Sequence, residues 1–260
     1  MKRARALARG RDVSEAAALC VEGVRLFEDA LAQGVRFEAV LVASRLDATE
    51  RGAALHERLW RSDAPVLDAT DAVLESISDV AGNQGVVGLA YKKTWERADL
   101  FPSDRAPLVI VAWGVQDPGN LGTIIRTADA SGATGLLATP ATACPYNTKC
   151  IRATAGSIFR LPLMEVDEDS QALEMLRAQG VVMIGTALAG GARHVDADFT
   201  KPVAIVLGGE GGGLPEHVVE LCDQSVRIPI RPGVESLNVA SAAAIILYEA
   251  ARQRNFKGLV

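Results

Sequence analysis

Short apolar runs alternate with amphipathic stretches along most of the chain, and this alternation gives the first picture of the fold. Between Ser14 and Gly34 the set Leu19, Val24, Leu26, Phe27 and Leu31 is mostly apolar. Ser14 is a favoured N-cap and Gly34 a left-handed stop, so the pattern predicts a helix over 14–34. Residues 37–43 read as a buried strand, 47–61 as a polar helix, 65–67 as a short strand, 71–79 as a helix, and 85–91 (GVVGLAY) as a closing strand. Together these make a small α/β unit of about 90 residues. The stretch 92–107, KKTWERADLFPSDRAP, is charged, holds two prolines and shows no periodicity, which is how a linker reads. The domain boundary is therefore expected near 100–106, with one unit over 1–100 and a second over 107–260.

Within the second unit, strands are expected at 108–113, 136–139, 161–166, 181–187, 203–207 and 226–230. Helices are expected near 120–131, 148–156, 169–179, 215–222 and 238–253. Alternation of this kind points to a mostly parallel sheet covered on both faces. Ligands of such sheets bind where strands end and loops lead into helices, so chemistry is to be sought in those loops.

Composition narrows the class. The 260 residues are 49% hydrophobic and 23% charged, ordinary globular usage that excludes disordered, collagen-like and coiled-coil chains. The formal net charge of −5 is not that of a polycation coating nucleic acid, so a nucleic-acid partner has to meet a local patch. One basic patch is the start of the chain, where Lys2, Arg3, Arg5, Arg9 and Arg11 precede any acid. It reads as a solvated leader, a phosphate-contacting arm or a short targeting peptide. No apolar run approaches the roughly 18–20 residues of a membrane span. A soluble, unsecreted, cytoplasmic protein with no membrane partner is expected. Cys20, Cys144, Cys150 and Cys222 match no zinc spacing with His56, His194 and His217, so free thiols and no metal are expected, and the histidines carry no assigned role.

Three loops carry candidate chemistry. The first, GVQDPGNLGTIIRTADASG, has a Pro118-Gly119 turn, Asn120 as a favoured N-cap, and Gly122 in the first helical turn. Arg126 stands on an otherwise apolar helix and requires an anionic partner, either a carboxylate such as Asp129 at i+3 or a ligand phosphate. The second, GGEGGGLPEHV, places five glycines around Glu210 before Pro215 at a helix start, a backbone shaped for close contact with a ligand. It lacks the GK[ST] ending of a Walker A loop and the G-x-G-x-x-G spacing of a dinucleotide fingerprint, which argues against a nucleotide-dependent oxidoreductase. The third, RIPIRPGVESLNVASAAAIILYEAARQR, brings Ser236 and Asn238 to the start of a small-residue helix, as caps or as ligand contacts.

Taken together, DPGNLGTIIRTADASG, LGGEGGGLP and IPIRPGVESLNVASAAA resemble the motifs of the SpoU/TrmH-type RNA ribose 2′-O-methyltransferases of the SPOUT superfamily. The likeness spans roughly residues 107–254. The front part, with VEGVRLFEDAL, VLVAS and GVVGLA, is more loosely similar to the small substrate-binding domain that often precedes such a catalytic domain. The resemblance implies a trefoil-knotted, parallel-sheet α/β catalytic domain after a small α/β RNA-binding domain, working as a homodimer. It also implies S-adenosylmethionine as cofactor, held by Gly208, Ile228 and Leu237 with Gly211 and Gly213 in the same loop. Arg126 is implied as the central catalytic residue, with Asn120, Glu210, Ser236 and Asn238 around it. Structured RNA is the implied partner, ribosomal RNA before transfer RNA, and a non-catalytic RNA-binding relative is the alternative.

Overall fold

The computed structural model describes residues 18–78 and 82–259. The basic arm and the Ser14 cap lie outside the described residues. Internal contacts divide the chain into two compact units. One holds the residues up to Thr94 together with Cys144–Arg160, and the other holds Trp95–Ala143 and Leu161–Val260.

The first unit contains a four-stranded sheet of β1 (Ala18–Glu22), β2 (Phe37–Val42), β3 (Val66–Asp68) and β4 (Val86–Tyr91), in the order β1-β4-β2-β3. β4 pairs antiparallel with β1 and β2, and β3 runs parallel to β2. From the front of the chain it takes helices α1 (Val24–Ala32), α2 (Glu50–Trp60) and α3 (Asp71–Ile77). The helix expected over 14–34 is thus corrected: residues 18–22 are strand β1, and the helix covers only Val24–Ala32. The physical reason lies in Ala18, Leu19, Cys20 and Val21, all buried, which leave no polar face for a helix but satisfy a strand lying against β4. Gly23, at φ 96°, separates the two elements. Helix α2 is capped by Thr49, whose Oγ1 accepts from Gly52 N at 3.1 Å, and α3 by Thr70, which accepts from Val73 N at 3.3 Å. Phe27 of α1 stacks on Phe37 of β2 with ring centroids 5.1 Å apart. Gly88 of β4 makes room for them, since a Cβ there would stand 2.7 Å from the Phe27 ring.

The second unit is built on a seven-stranded sheet in the order β7-β6-β5-β10-β8-β11-β9, with every pairing parallel. Its strands are β5 (Leu108–Trp113), β6 (Gly135–Ala138), β7 (Leu163–Glu165), β8 (Val182–Thr186), β9 (Ala192–Arg193), β10 (Val203–Gly208) and β11 (Gln224–Arg227). The adjacent β5 and β10 are buried at every position, as a parallel strand covered on both faces requires. The stretch expected as a linker carries a short helix, α4 (Arg97–Leu100), in a reciprocal cap between Glu96 and Asp99. Leu100 is fully buried, and its carbonyl accepts from Thr134 Oγ1 at 2.7 Å, so this one residue anchors an otherwise largely exposed stretch to the core.

Longer helices follow the strands: α5 (Pro118–Ala130), α6 (Thr148–Thr154, which belongs to the first unit), α7 (Asp169–Ala178), α8 (Glu216–Leu221) and α9 (Val239–Gln253). The last strand differs from expectation. It covers Gln224–Arg227 rather than 226–230, which leaves Ile228 and Ile230 in the loop beyond it. Helix α9 packs against α5. Just past its end the Arg254 guanidinium donates to the carbonyls of Ala106 (2.6 Å), Pro107 (3.0 Å), Phe199 (2.7 Å) and Lys201 (2.7 Å), fastening the chain end to the entries of β5 and β10.

Phe27 is fully buried. Phe27→Ala is expected to lower unfolding free energy by about 3–5 kcal/mol in urea denaturation, and a loss under about 1 kcal/mol would contradict the packing described.

Candidate functional site

At the carboxyl end of the sheet, three loops come together. The first leaves β5. Gly114, at φ 70°, has its N–H bonded by Thr142 Oγ1 at 3.1 Å, and Asp117 then caps α5 by accepting from Asn120 N at 2.9 Å. The cap is therefore Asp117 and not Asn120, with Pro118 in the first turn where its missing N–H costs nothing. Displaced into the helix, Asn120 has a side chain free to reach outward.

The second loop leaves β10 and is defined by backbone crowding. A Cβ on Gly208 would fall 2.2 Å from the carbonyl carbon of Gly213, and one on Gly209 would fall 2.1 Å from the carbonyl oxygen of Gly114. The loop closes on itself through Gly213 N to Gly209 O at 3.2 Å, with Gly211 at φ 85° and Gly213 at φ 67°. No side chain fits at 208 or 209, and residues 211 and 213 adopt a backbone that favours glycine.

The third loop runs from Ile228 to Asn238. Asn238 caps α9, its Oδ1 accepting from Ala240 N at 2.9 Å and Ser241 N at 3.3 Å.

Side-chain hydrogen bonds tie the three loops into one network. Glu210 Oε2 accepts from Gln116 N at 3.0 Å, and its Oε1 accepts from Asp117 N at 3.4 Å and from Asn120 Nδ2 at 2.7 Å. Asn120 Oδ1 in turn accepts from Asn238 Nδ2 at 2.9 Å. Partial burial pushes the Glu210 carboxyl upward, but the donors from Asn120, Gln116 and Asp117 outweigh it and hold the group below the usual carboxylate range.

The loops enclose a cavity of about 340 Å³. Gly208, Glu210, Gly211, Gly213, Ile228, Ser236, Leu237 and Asn238, all singled out in the sequence, line it. Its walls are largely aliphatic, from Ile228, Ile230, Leu237, Leu214 and Ile246, with the glycine backbone as the polar edge. Asn120 is joined to it through Glu210 and Asn238. Arg126 is not among the lining residues. It stands exposed on α5, and among the described residues it has no hydrogen bond or ion pair, so the internal pairing with Asp129 is not formed.

Sequence reasoning missed Thr186, the last residue of β8, and Ala187 and Leu188 after it, which supply a further wall. Their signal was faint, an expected strand running into a glycine pair at 190–191. It also missed the backbone donors of Gln116 and Asp117. Among the described residues no cluster of three or more His, Cys, Asp or Glu could hold a metal ion, and no helix is long and apolar enough to cross a membrane.

A family model described as the SpoU rRNA Methylase family matches residues 107–248, and one described as an MRM3-like substrate binding domain matches residues 1–88. An uncharacterized tRNA/rRNA methyltransferase of Synechocystis, slr1673, is 36% identical over 237 residues, 91% of this chain and 84% of its own. A 23S rRNA (uridine(2479)-2′-O)-methyltransferase of Streptomyces viridochromogenes is 42% identical over 142 residues, 53% of this chain and 50% of its own. The crystal structure of the SpoU methyltransferase AviRb from that organism, in complex with AdoMet, superposes with a TM-score of 0.87 at 29% identity, covering 98% of this chain and 97% of the other.

A carboxylate whose folded pKa lies below its unfolded value stabilises the fold above the ordinary carboxylate range and loses that contribution as pH falls through the folded value. The melting-temperature gap between wild type and Glu210→Gln is therefore expected to be widest near neutral pH and to close on acidification. A gap independent of pH would show that the carboxylate charge does not hold the loops.

Proposed function

Because the chain belongs to the SpoU rRNA methylase family, we propose that it transfers the methyl group of S-adenosylmethionine to a ribose 2′-hydroxyl of structured RNA, ribosomal RNA before transfer RNA. The observation that carries this reading is the aliphatic cavity closed by three loops, with the Glu210–Asn120–Asn238 network on its polar side. The residues suit the cofactor. A neutral adenine takes backbone hydrogen bonds and aliphatic walls, which the 208–213 glycines, Ile228 and Leu237 provide. The names of the relatives, which methylate 23S rRNA at a 2′-oxygen or bind AdoMet, favour the same chemistry.

When bound, the sulfonium supplies an electrophilic methyl group whose departure leaves a neutral thioether, so no acid is needed on that side. The protein's task is to align and activate the ribose oxygen, and alignment alone is worth several kcal/mol, about 7–11 at the upper limit. A guanidinium offers five N–H donors and no acceptor, so Arg126 does not suit the part of a general base. Its exposed fork, unpaired among the described residues, suits another role: it grips an RNA phosphate and stabilises the alkoxide as it develops, and that phosphate takes up the hydroxyl proton. Asn120, bonded to Glu210 and Asn238, orients the sugar side of the site, and Glu210 keeps the glycine loop in place. Ser236, on the cavity wall, offers a hydroxyl to the same sugar.

The finer features belong to the same proposal. The last strand and α9 thread an earlier loop as a trefoil knot, and two copies pair as a homodimer. Ile245 and Tyr248 support pairing, because they stand 39% and 50% exposed on α9, an apolar strip that a second copy would cover. The basic arm adds phosphate contacts, and the protein works in the cytoplasm.

The test is transfer of a tritiated methyl group to bulk ribosomal and transfer RNA, followed by mapping of the modified nucleotide. Labelled ribose in ribosomal RNA is expected, and no transfer to either pool would overturn the proposal. Arg126→Lys should lower turnover at saturating RNA by about tenfold or more, and near-normal turnover would refute the guanidinium's role. Gly208→Ala, which forces Cβ against Gly213, should weaken S-adenosylmethionine binding by about tenfold or more in calorimetry, and unchanged affinity would remove the loop from the cofactor site.

A further inference from the structure

A second cavity, of about 330 Å³, lies in the first unit and shares no lining residue with the cavity of the three loops. We propose that it receives an unpaired guanine base of the RNA, gripped by Arg152 on its acceptor edge and by Asp29 on its donor edge. This rests on the reading that the chain acts on RNA.

Two features of the cavity point to a guest. Arg152, on α6, lines the cavity, and its guanidinium carries a buried Nη1 with no hydrogen-bond partner among the described residues. A buried guanidinium nitrogen left without an acceptor is costly unless a ligand supplies one. Asp29 lines the same cavity from α1, and among the described residues its carboxylate has no hydrogen-bond donor. It lies against Gly156, where a Cβ would stand 2.5 Å from Asp29 Oδ2. Opposite charges on one cavity wall ordinarily pair, and here they do not, which leaves both free to bond a molecule that enters.

The rim between them is held in place. Glu22 accepts from Asn83 Nδ2 at 2.7 Å and from the Ser78 hydroxyl, and Gln84 Oε1 accepts from Val24 N at 2.8 Å. The loop after β1 and the loop before β4 are thereby stitched to each other, giving a preformed wall.

The chemistry favours a base over a phosphate. Glu22 and Asp29 share the wall with Arg25 and Arg152, so it carries both signs, and a neutral base with both donors and acceptors satisfies it better than an anion, which would leave the Asp29 carboxylate without a donor. Among the four bases guanine alone presents O6 and N7 side by side for an arginine fork, with N1–H and N2–H₂ beside them for a carboxylate. Sequence-specific RNA recognition takes this form, an unstacked base read on its edges.

The experiment uses the full chain with S-adenosylmethionine held at saturation, so that the other cavity is filled, and titrates guanosine, adenosine, cytidine, uridine and inorganic phosphate by calorimetry. Guanosine is expected to bind saturably and about tenfold or more tighter than the other three nucleosides. Asp29→Asn and Arg152→Gln should each weaken guanosine by about tenfold or more and raise the KM for RNA, while affinity for S-adenosylmethionine stays at the wild-type value. If Arg152→Gln fails to fold, Asp29→Asn and the wild-type titration decide. The assignment is overturned if the wild type binds no nucleoside, prefers another base, binds phosphate without nucleoside preference, or keeps its guanosine affinity in Asp29→Asn. Guanosine binding without methyl transfer to any RNA would leave this cavity assigned and overturn the methyltransferase reading. Methyl transfer without guanosine binding would do the reverse.

Discussion

The carboxylate of Glu210 is the point on which the site depends. Two backbone N–H groups and the Asn120 amide donate to it, so a single side chain on the β10 loop holds the loop after β5, and Asn120 passes the hold to the cap of α9. Hydrogen bonds to a charged acceptor are about twice as strong as neutral ones, and this one joins segments about 90 positions apart in the chain. Were the carboxylate neutral, its Oε1 and Oε2 would accept less strongly, and the glycine loop would be tied less firmly to the loop after β5. The lowered pKa of Glu210 expresses the same fact, since partners that prefer the charged form keep it charged.

Around that network the division of labour is between backbone and aliphatic surface. At Gly208 and Gly209 neighbouring backbone occupies the space a Cβ would need, so the main chain itself forms the wall. Ile228, Leu237 and Ile246 supply the apolar remainder. A cavity with this composition suits a flat, weakly polar group such as adenine and offers little to a phosphate. The free charge lies elsewhere. Arg126 stands exposed, has no hydrogen bond or ion pair among the described residues, and is available to an anionic partner. An enzyme that methylates a polyanion needs such a separation, with a neutral pocket for the donor and an unpaired cation for the acceptor.

Much of this was legible in the sequence where burial is two-sided. LVIVAW and VAIVLG are apolar without interruption, and they became the fully buried β5 and β10. ALCVE is equally apolar, but it stands directly before an amphipathic helix. Periodicity merged the two, and only the pairing with β4 separates them. Strand β9 is two exposed residues with no hydrophobic signal at all. The cap of α5 was read one turn too late because Asp117 and Asn120 are both good caps. Which of them serves is decided by Glu210, far away in sequence, which claims Asn120. The glycine and amide motifs of the three loops were visible as residues, but their convergence was not, and neither was the wall from Thr186 to Leu188. Local pattern carries elements and turns. It does not carry which strand ends meet.

One pocket, made from three distant loops, is shaped for a methyl donor. Its most direct test is a calorimetric comparison of S-adenosylmethionine with NAD on the full chain. Saturable binding of S-adenosylmethionine at one equivalent per chain, with no heat from NAD, is the predicted result. Binding of NAD, or no binding of S-adenosylmethionine by a protein that melts cooperatively, would contradict it.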